Sequence, residues 1–144
     1  MMPFLLQDDP QIAELARKEE ARLKNTLDMI AAENHAPVSV METLGSAFHT
    51  KTIEGYPGNR SHAGCRYADQ IEKLAVERGK TLFGAGHANV QPHSGTSANL
   101  AVYFSVLDVG DRVLAMRLPH GGHLSHGHRA SITSKCFDFR HYSV

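Results

Sequence analysis

Two hydroxyls flank a glycine at Ser94-Gly95-Thr96, between a strand candidate at 87–91 and a helix candidate at 97–107. At a helix N-terminus the backbone N–H groups lack partners, the helix dipole favours negative charge, and glycine lets the backbone approach an anion closely. Serine and threonine also serve as ordinary helix caps, and both readings stand on the tripeptide alone. The segment is neither a phosphate-binding Walker loop nor a G-x-G-x-x-G dinucleotide fingerprint. Further along, His120-Gly121-Gly122-His123-Leu124-Ser125-His126-Gly127-His128 packs four histidines into nine residues. Their spacing fits no helical zinc motif, and no Cys or carboxylate lies close by. A loop carrying one functional histidine, His123, is therefore preferred to a metal site, because the adjacent glycine lets a flat ligand lie on the imidazole. Glu54 opens a third stretch rich in glycine. A carboxylate facing a partly desolvated site exchanges protons with a substrate, whereas a solvated glutamate on a loop does no chemistry. Tyr56, Arg60 and Tyr67 either line a pocket or pack that loop.

These residues need elements to hold them. Asp8-Asp9-Pro10 supplies a capping carboxylate and a proline at the first helical position. Ile12, Leu15, Leu23, Leu27 and Ile30 then recur near a helical period, with Arg17, Lys18, Glu19, Glu20 and Lys24 opposite. The stripe is interrupted, which predicts a helix that leans on a partner surface. A break precedes Pro37, and Val38, Met41, Leu44 and Phe48 predict a shorter helix. Gly55, Pro57, Gly58 and Gly64 make 54–64 a long irregular loop, a type of segment that is usually functional. A third helix is expected over 67–83 with Gly84 ending it. Strands are expected at 112–116 and 136–141, giving the order of a mostly parallel α/β sheet. Such a sheet needs helices over both faces, and two or three strands do not complete it. The sequence therefore reads as the front part of something larger: a helical segment over 1–50, then the truncated start of a larger domain over 51–144.

The composition sets outer bounds. The chain has 144 residues, 15 Lys+Arg against 15 Asp+Glu, and only two cysteines, Cys65 and Cys136. A neutral balance argues against a nucleic-acid binder relying on surplus cations. No apolar run approaches the roughly 20 residues of a bilayer span, and Met1 to Gln7 is too short for a secretory signal. Two thiols make no disulfide framework and are read as small, reduced, buried side chains. A folded protein of the cytoplasm, free of membrane and nucleic acid, is expected.

Four segments, taken in order, resemble one family. They are Ile30-Ala31-Ala32-Glu33-Asn34, Glu54-Gly55-Tyr56-Pro57-Gly58-Asn59-Arg60, Ala88-Asn89-Val90-Gln91-Pro92-His93-Ser94-Gly95-Thr96-Ser97-Ala98-Asn99 and His120-Gly121-Gly122-His123-Leu124-Ser125-His126-Gly127. Together they are similar to serine hydroxymethyltransferase, from about Leu15 onward. The resemblance implies an α/β fold: the N-terminal part of an aspartate-aminotransferase-like (fold type I) pyridoxal-phosphate enzyme with an incomplete, mostly parallel sheet. It implies pyridoxal 5'-phosphate as cofactor, tetrahydrofolate as co-substrate, and transfer of a one-carbon unit between serine and glycine. On matching positions, Ser94, Gly95 and Thr96 hold the cofactor phosphate and His123 stacks on the pyridine ring. Glu54 is the acid/base group, contributed across a homodimer or tetramer interface, while Leu118, Gly122, His123 and Leu124 contact folate.

The sequence departs from the family where substrate binds. Ala32 replaces a serine, Thr52 a tyrosine, and His62, preceded by Ser61, the second tyrosine of an Arg-Tyr-Tyr-Gly-Gly run. The freed volume suggests a subclass accepting an α-substituted serine such as 2-methylserine. The family's chains are also much longer. None of Lys18, Lys24, Lys51, Lys73, Lys80 and Lys135 lies in the Thr/His/Lys context of the family's Schiff-base lysine. The expectation is a fragment, inactive alone, or a truncated subunit acting as a non-catalytic interaction module.

Overall fold

The computed structural model describes residues 3–144; Met1 and Met2 of the opening apolar stretch lie outside the described residues. Backbone contacts divide the chain into two units, Met1–Thr52 and Ile53–Val144.

In the first unit, α1 (Pro3–Asp8) packs on α2 (Pro10–Asn25). The Asp9 side chain accepts from the Ile12 N–H at 3.0 Å, and Pro10 occupies the first turn, so the start follows the sequence signal. The end does not. The expected helix runs to Ile30, but α2 stops at Asn25 because side chains take over its last carbonyls. Asn25 Nδ2 donates to the Ala21 carbonyl at 2.7 Å and Thr26 Oγ1 to the Arg22 carbonyl at 2.8 Å. Ala13 alone on α2 is buried, while Ile12 and Leu15 remain exposed. The expected second helix divides into α3 (Val38–Leu44) and a 3-10 turn (Ala47–Thr50).

The second unit carries most of the candidate chemistry. The segment 54–64, expected to be irregular, contains a small antiparallel hairpin, β1 (Gly55–Tyr56) and β2 (Asn59–Arg60). Pro57 and Gly58, the latter at φ +84°, form its turn, a pairing that suits a type II turn. Helix α4 (Arg66–Phe83) follows and ends on Gly84 in the left-handed region. The expected strand at 87–91 is absent. Asn89 Oδ1 accepts the Gln91 N–H at 2.9 Å, removing a donor that a ladder would need, and Pro92 follows at once. Helix α5 (Gly95–Val106) leads to β3 (Arg112–Met116), which pairs in parallel with β4 (Asp138–Tyr142). Their register sets Arg112 opposite Asp138 and Met116 opposite Tyr142. Cys136, expected in the strand, belongs instead to a short helix α6 (Thr133–Cys136). Around the parallel pair, Tyr103 and Phe104 of α5 meet Phe137 at 5.6 and 5.2 Å between ring centroids. Phe137 and Ala115 are buried there, whereas Leu114, Val102 and Val106 lie open. Cys65 is buried and Cys136 half-buried, both as free thiols.

Candidate functional site

Ser94 is the N-cap of α5 and forms a reciprocal capping box with Ser97. Its Oγ accepts the Ser97 N–H at 3.2 Å, and its own N–H donates to Ser97 Oγ at 3.0 Å. The sequence left cap and anion cup as alternatives; the cap is present, and it leaves the Gly95 and Thr96 end of the helix exposed to solvent. A 12-residue helix then projects its dipole from this open end.

Loop 117–128 carries the histidine cluster and begins where β3 ends. The Gly122 N–H donates to the Arg117 carbonyl at 3.0 Å, while the Arg117 N–H is held by the Tyr142 carbonyl at 3.0 Å. A Cβ on Gly122 would sit 2.1 Å from the Met116 carbonyl oxygen, so glycine is required for this return of the backbone. Leu118 starts a short 3-10 turn and is exposed, as is Leu124. Leu118, His123, His126, His128, Arg129 and His141 line one open cleft.

Within the loop, His123 is tied down from one side. Its Nδ1 lies 2.7 Å from Ser125 Oγ and accepts the Ser125 N–H at 3.1 Å. Asn99, one turn into α5, donates from Nδ2 to the same Ser125 Oγ at 2.7 Å. Ser125 is 1% exposed, and its carbonyl accepts from Thr133 Oγ1 at 2.8 Å. Thr133 Oγ1 in turn accepts the Gly127 N–H at 3.2 Å. His126 is also engaged, through Tyr103 Oη at 2.5 Å from its Nδ1; burial pushes the Tyr103 hydroxyl pKa up. Among the described residues, no cluster of three or more His, Cys, Asp or Glu is arranged to hold a metal.

Glu54 stands at the base of the hairpin, exposed, and accepts from Ser61 Oγ at 2.9 Å. Arg60 clamps the hairpin to α4. Its guanidinium, with a side chain only 5% exposed, reaches Asp69 at 2.7 Å and Glu72 at 2.6 Å and also donates to the Gly55 carbonyl. The Arg60 guanidinium, aided by the Gly58 N–H, holds the Asp69 carboxyl below the usual carboxylate range. Gln91 Nε2 bridges the Gly55 carbonyl at 3.0 Å and Glu72 Oε1 at 2.8 Å. Arg60 thus packs the loop, one of the two roles its sequence position allowed. The Glu54–Gly55 end of the hairpin and the segment entering the Ser94 cap share Gln91 as an anchor. His62, exposed, has its Nδ1 3.0 Å from the Ala63 carbonyl. In the first unit, Ala32 lies in an exposed turn and Thr52 in exposed chain without regular structure.

Asn99, Ser125, Thr133 and Gln91 had no role in the sequence reading. Asn99 and Ser125 sat inside motifs already singled out, but nothing local says that residues 26 apart meet. Only the packing of α5 against the loop does.

The family model described as Serine hydroxymethyltransferase matches residues 5–144. Proteins named Serine hydroxymethyltransferase from Halorubrum lacusprofundi and Dehalococcoides mccartyi are 53% and 50% identical over 136 and 143 residues. Those alignments take in 94% and 99% of this chain and 33% and 34% of the relatives, so the chain spans about a third of their length. With α5 packed through Tyr103 on Phe139 of a parallel β3–β4 pair, part of an incomplete, mostly parallel α/β domain of the aspartate-aminotransferase-like fold type I, the chain belongs to the serine hydroxymethyltransferase family.

Proposed function

We propose that this chain is the N-terminal, cofactor-cradling part of a cytoplasmic pyridoxal-phosphate-dependent hydroxymethyltransferase that exchanges a one-carbon unit between serine and glycine with tetrahydrofolate. The observation that carries the reading is the link Asn99–Ser125–His123, which fixes one flat imidazole to the helix whose N-terminus is open to an anion. Family membership alone does not require this chain's residues to be so joined; the link supports a ligand with a phosphate at one end and an aromatic ring at the other.

The residues present fit such a group. The backbone N–H groups of Gly95 and Thr96, with the Ser94 and Thr96 hydroxyls, would hold the phosphate. His123 would lie on the ring. Bound pyridoxal phosphate supplies the electron sink; the chain supplies grip, orientation and proton traffic. Leu118 and His123 border the cleft, and Gly122 and Leu124 flank His123 in the chain; together these four would form the side that takes folate, with exposed apolar surface from both leucines. Glu54, kept near Ser61 and without an ion-pair partner among the described residues, would pass a proton to and from the substrate hydroxymethyl oxygen, serving a second subunit of a homodimer or tetramer. In this reading 1–50 is a helical arm and 51–144 the first part of the large cofactor domain.

Ala32, Thr52 and His62 support the finer reading, a preference for an α-substituted serine such as 2-methylserine. One methyl-sized difference in a pocket shifts selectivity by about 1–3 kcal/mol, so the preference is graded. Turnover of both substrates by a polypeptide continuing this chain through the lysine segment tests it, and faster turnover of plain serine refutes it. These 144 residues alone are proposed not to turn over serine, since none of the six lysines has the required context. Borohydride treatment with pyridoxal phosphate tests that statement: stoichiometric covalent labelling of the chain refutes it. For the cofactor reading, titration with pyridoxal phosphate and with pyridoxal is decisive. Tighter binding of the phosphorylated form is expected; equal binding overturns it.

The exposed apolar stripe of α2 and the open Leu114, Val102 and Val106 favour a second reading, in which the chain acts as an interaction module on a full-length subunit. Stable co-elution of the two proteins would support it.

A further inference from the structure

We infer that Asn99 and Ser125 are positioning residues that hold His123 as a neutral imidazole bearing its proton on Nε2, so that the ring is oriented by α5. The decisive group is the Ser125 backbone N–H, which points at His123 Nδ1 from 3.1 Å. A backbone N–H only donates, so Nδ1 must be an acceptor and the ring proton belongs on Nε2. The Ser125 hydroxyl agrees. Its oxygen accepts from Asn99 Nδ2 at 2.7 Å, and its proton then has His123 Nδ1, at 2.7 Å, as acceptor. Reversing the amide of Asn99 would reverse the hydroxyl as well and set a protonated Nδ1 against the fixed N–H. In a site where Ser125 is 1% exposed, an N–H without an acceptor is costly.

Ser125 itself cannot drift. The buried Thr133 hydroxyl holds its carbonyl at 2.8 Å and takes the Gly127 N–H at 3.2 Å. Asn99 lies four residues beyond Gly95, about 6 Å along the helix axis. The anion end of α5 and the imidazole thus share one rigid support. The Nε2 edge of His123, which makes no hydrogen bond among the described residues, offers a single donor to the cleft that Leu118 and Arg129 border. The site would accordingly accept a hydrogen-bond acceptor at that edge and reject a donor. What the oriented ring is for rests on the cofactor reading above; its tautomer does not.

Nitrogen-15 spectra of the 144-residue chain labelled at histidine test the proposal without any ligand. The wild-type chain is expected to show His123 with an unprotonated, hydrogen-bonded Nδ1 and a proton on Nε2. Ser125→Ala, which keeps the backbone N–H, should move the Nδ1 resonance toward that of a nitrogen accepting one hydrogen bond rather than two, and Ser125→Thr should restore it. Asn99→Leu should move it in the same direction, and it serves as the second variant if Ser125→Ala does not fold. A proton on Nδ1 in the wild-type chain, or an Nδ1 resonance unmoved by both Ser125→Ala and Asn99→Leu, overturns the assignment. Added pyridoxal phosphate provides a separate arm: if it leaves every His123 resonance in place, ring stacking fails while the tautomer assignment stands.

Discussion

Replacing Ser94 by aspartate separates its two roles. Aspartate caps a helix about as well as serine, so Ser94→Asp should keep α5 intact by accepting the Ser97 N–H now held at 3.2 Å. Ser94→Ala removes that acceptor, costing about 1 kcal/mol, which is roughly fivefold faster opening of the first turn. Toward a phosphate ester the order reverses. Alanine forfeits one hydroxyl donor to an anion, worth about 1.5–3 kcal/mol, while the Gly95 and Thr96 N–H groups remain. Aspartate instead sets a negative charge about 4 Å from another. Coulomb's law gives about 1 kcal/mol of repulsion per unit charge in water and about 4 at the effective dielectric of a protein surface. Screening is weak at a separation so far below the Debye length of about 8 Å. A loss of roughly fivefold to a thousandfold is expected on charge alone, added to the loss of the hydroxyl. Amide exchange at Ser97 reads the cap, and resonance shifts of Gly95 and Thr96 on titration with pyridoxal phosphate read the anion. Should Ser94→Asp bind pyridoxal phosphate as the wild-type chain does, the phosphate is not held at the start of α5.

Gly127 has φ +79°, and a Cβ there would lie 2.1 Å from Cγ of Phe139. Gly127→Ala therefore combines left-handed strain of about 1–2 kcal/mol with overpacking of about 1–3, and denaturant titration should find a loss of about 2–5 kcal/mol. Arg60→Leu leaves Asp69 and Glu72 without their cation. The hairpin 55–60 should become a preferred site of limited proteolysis, and Arg60→Lys should rescue it poorly, since one ammonium cannot reproduce the forked contacts. The Asp69 carboxyl is held below its ordinary value by Arg60 and the Gly58 N–H, and that of Asp138 by Arg112 and Arg140. A carboxyl whose folded pKa is depressed adds stability above its unfolded pKa and loses it as the pH falls through the folded one. Protection of the Gly58 amide, which donates to Asp69 at 2.9 Å, should therefore hold through neutral pH and fail only well into acid. Failure near pH 6 would implicate a histidine instead.

Legibility in the sequence followed the range of the interaction concerned. Capping and termination are decided within a turn of the residue that signals them, so Asp9 and Gly84 could be read directly as the start of α2 and the end of α4, while the cap at Ser94 was one of the two roles its tripeptide allowed. The overlong first helix and the spurious strand at 87–91 failed for a related reason. Asn25, Thr26 and Asn89 competed for backbone groups through their side chains, and a periodicity count does not weigh such competition. Gly122 shows the limit more sharply. Its sequence context suggested access for a ligand, whereas the nearest obstacle to a side chain is the Met116 carbonyl on the preceding strand.

The parts of the candidate site that joined separate motifs were invisible until the chain was folded. Asn99 to Ser125 and Gln91 to Gly55 are contacts across 26 and 36 residues, and no local propensity encodes them. Yet these long-range bonds turn a helix cap and a surface histidine into one support. A capped helix alone is a structural commonplace, and an exposed imidazole alone is a polar loop. Once a buried hydroxyl fixes the imidazole to the helix, their spacing no longer varies with loop motion. A ligand with two chemically distinct ends can then be measured against that spacing.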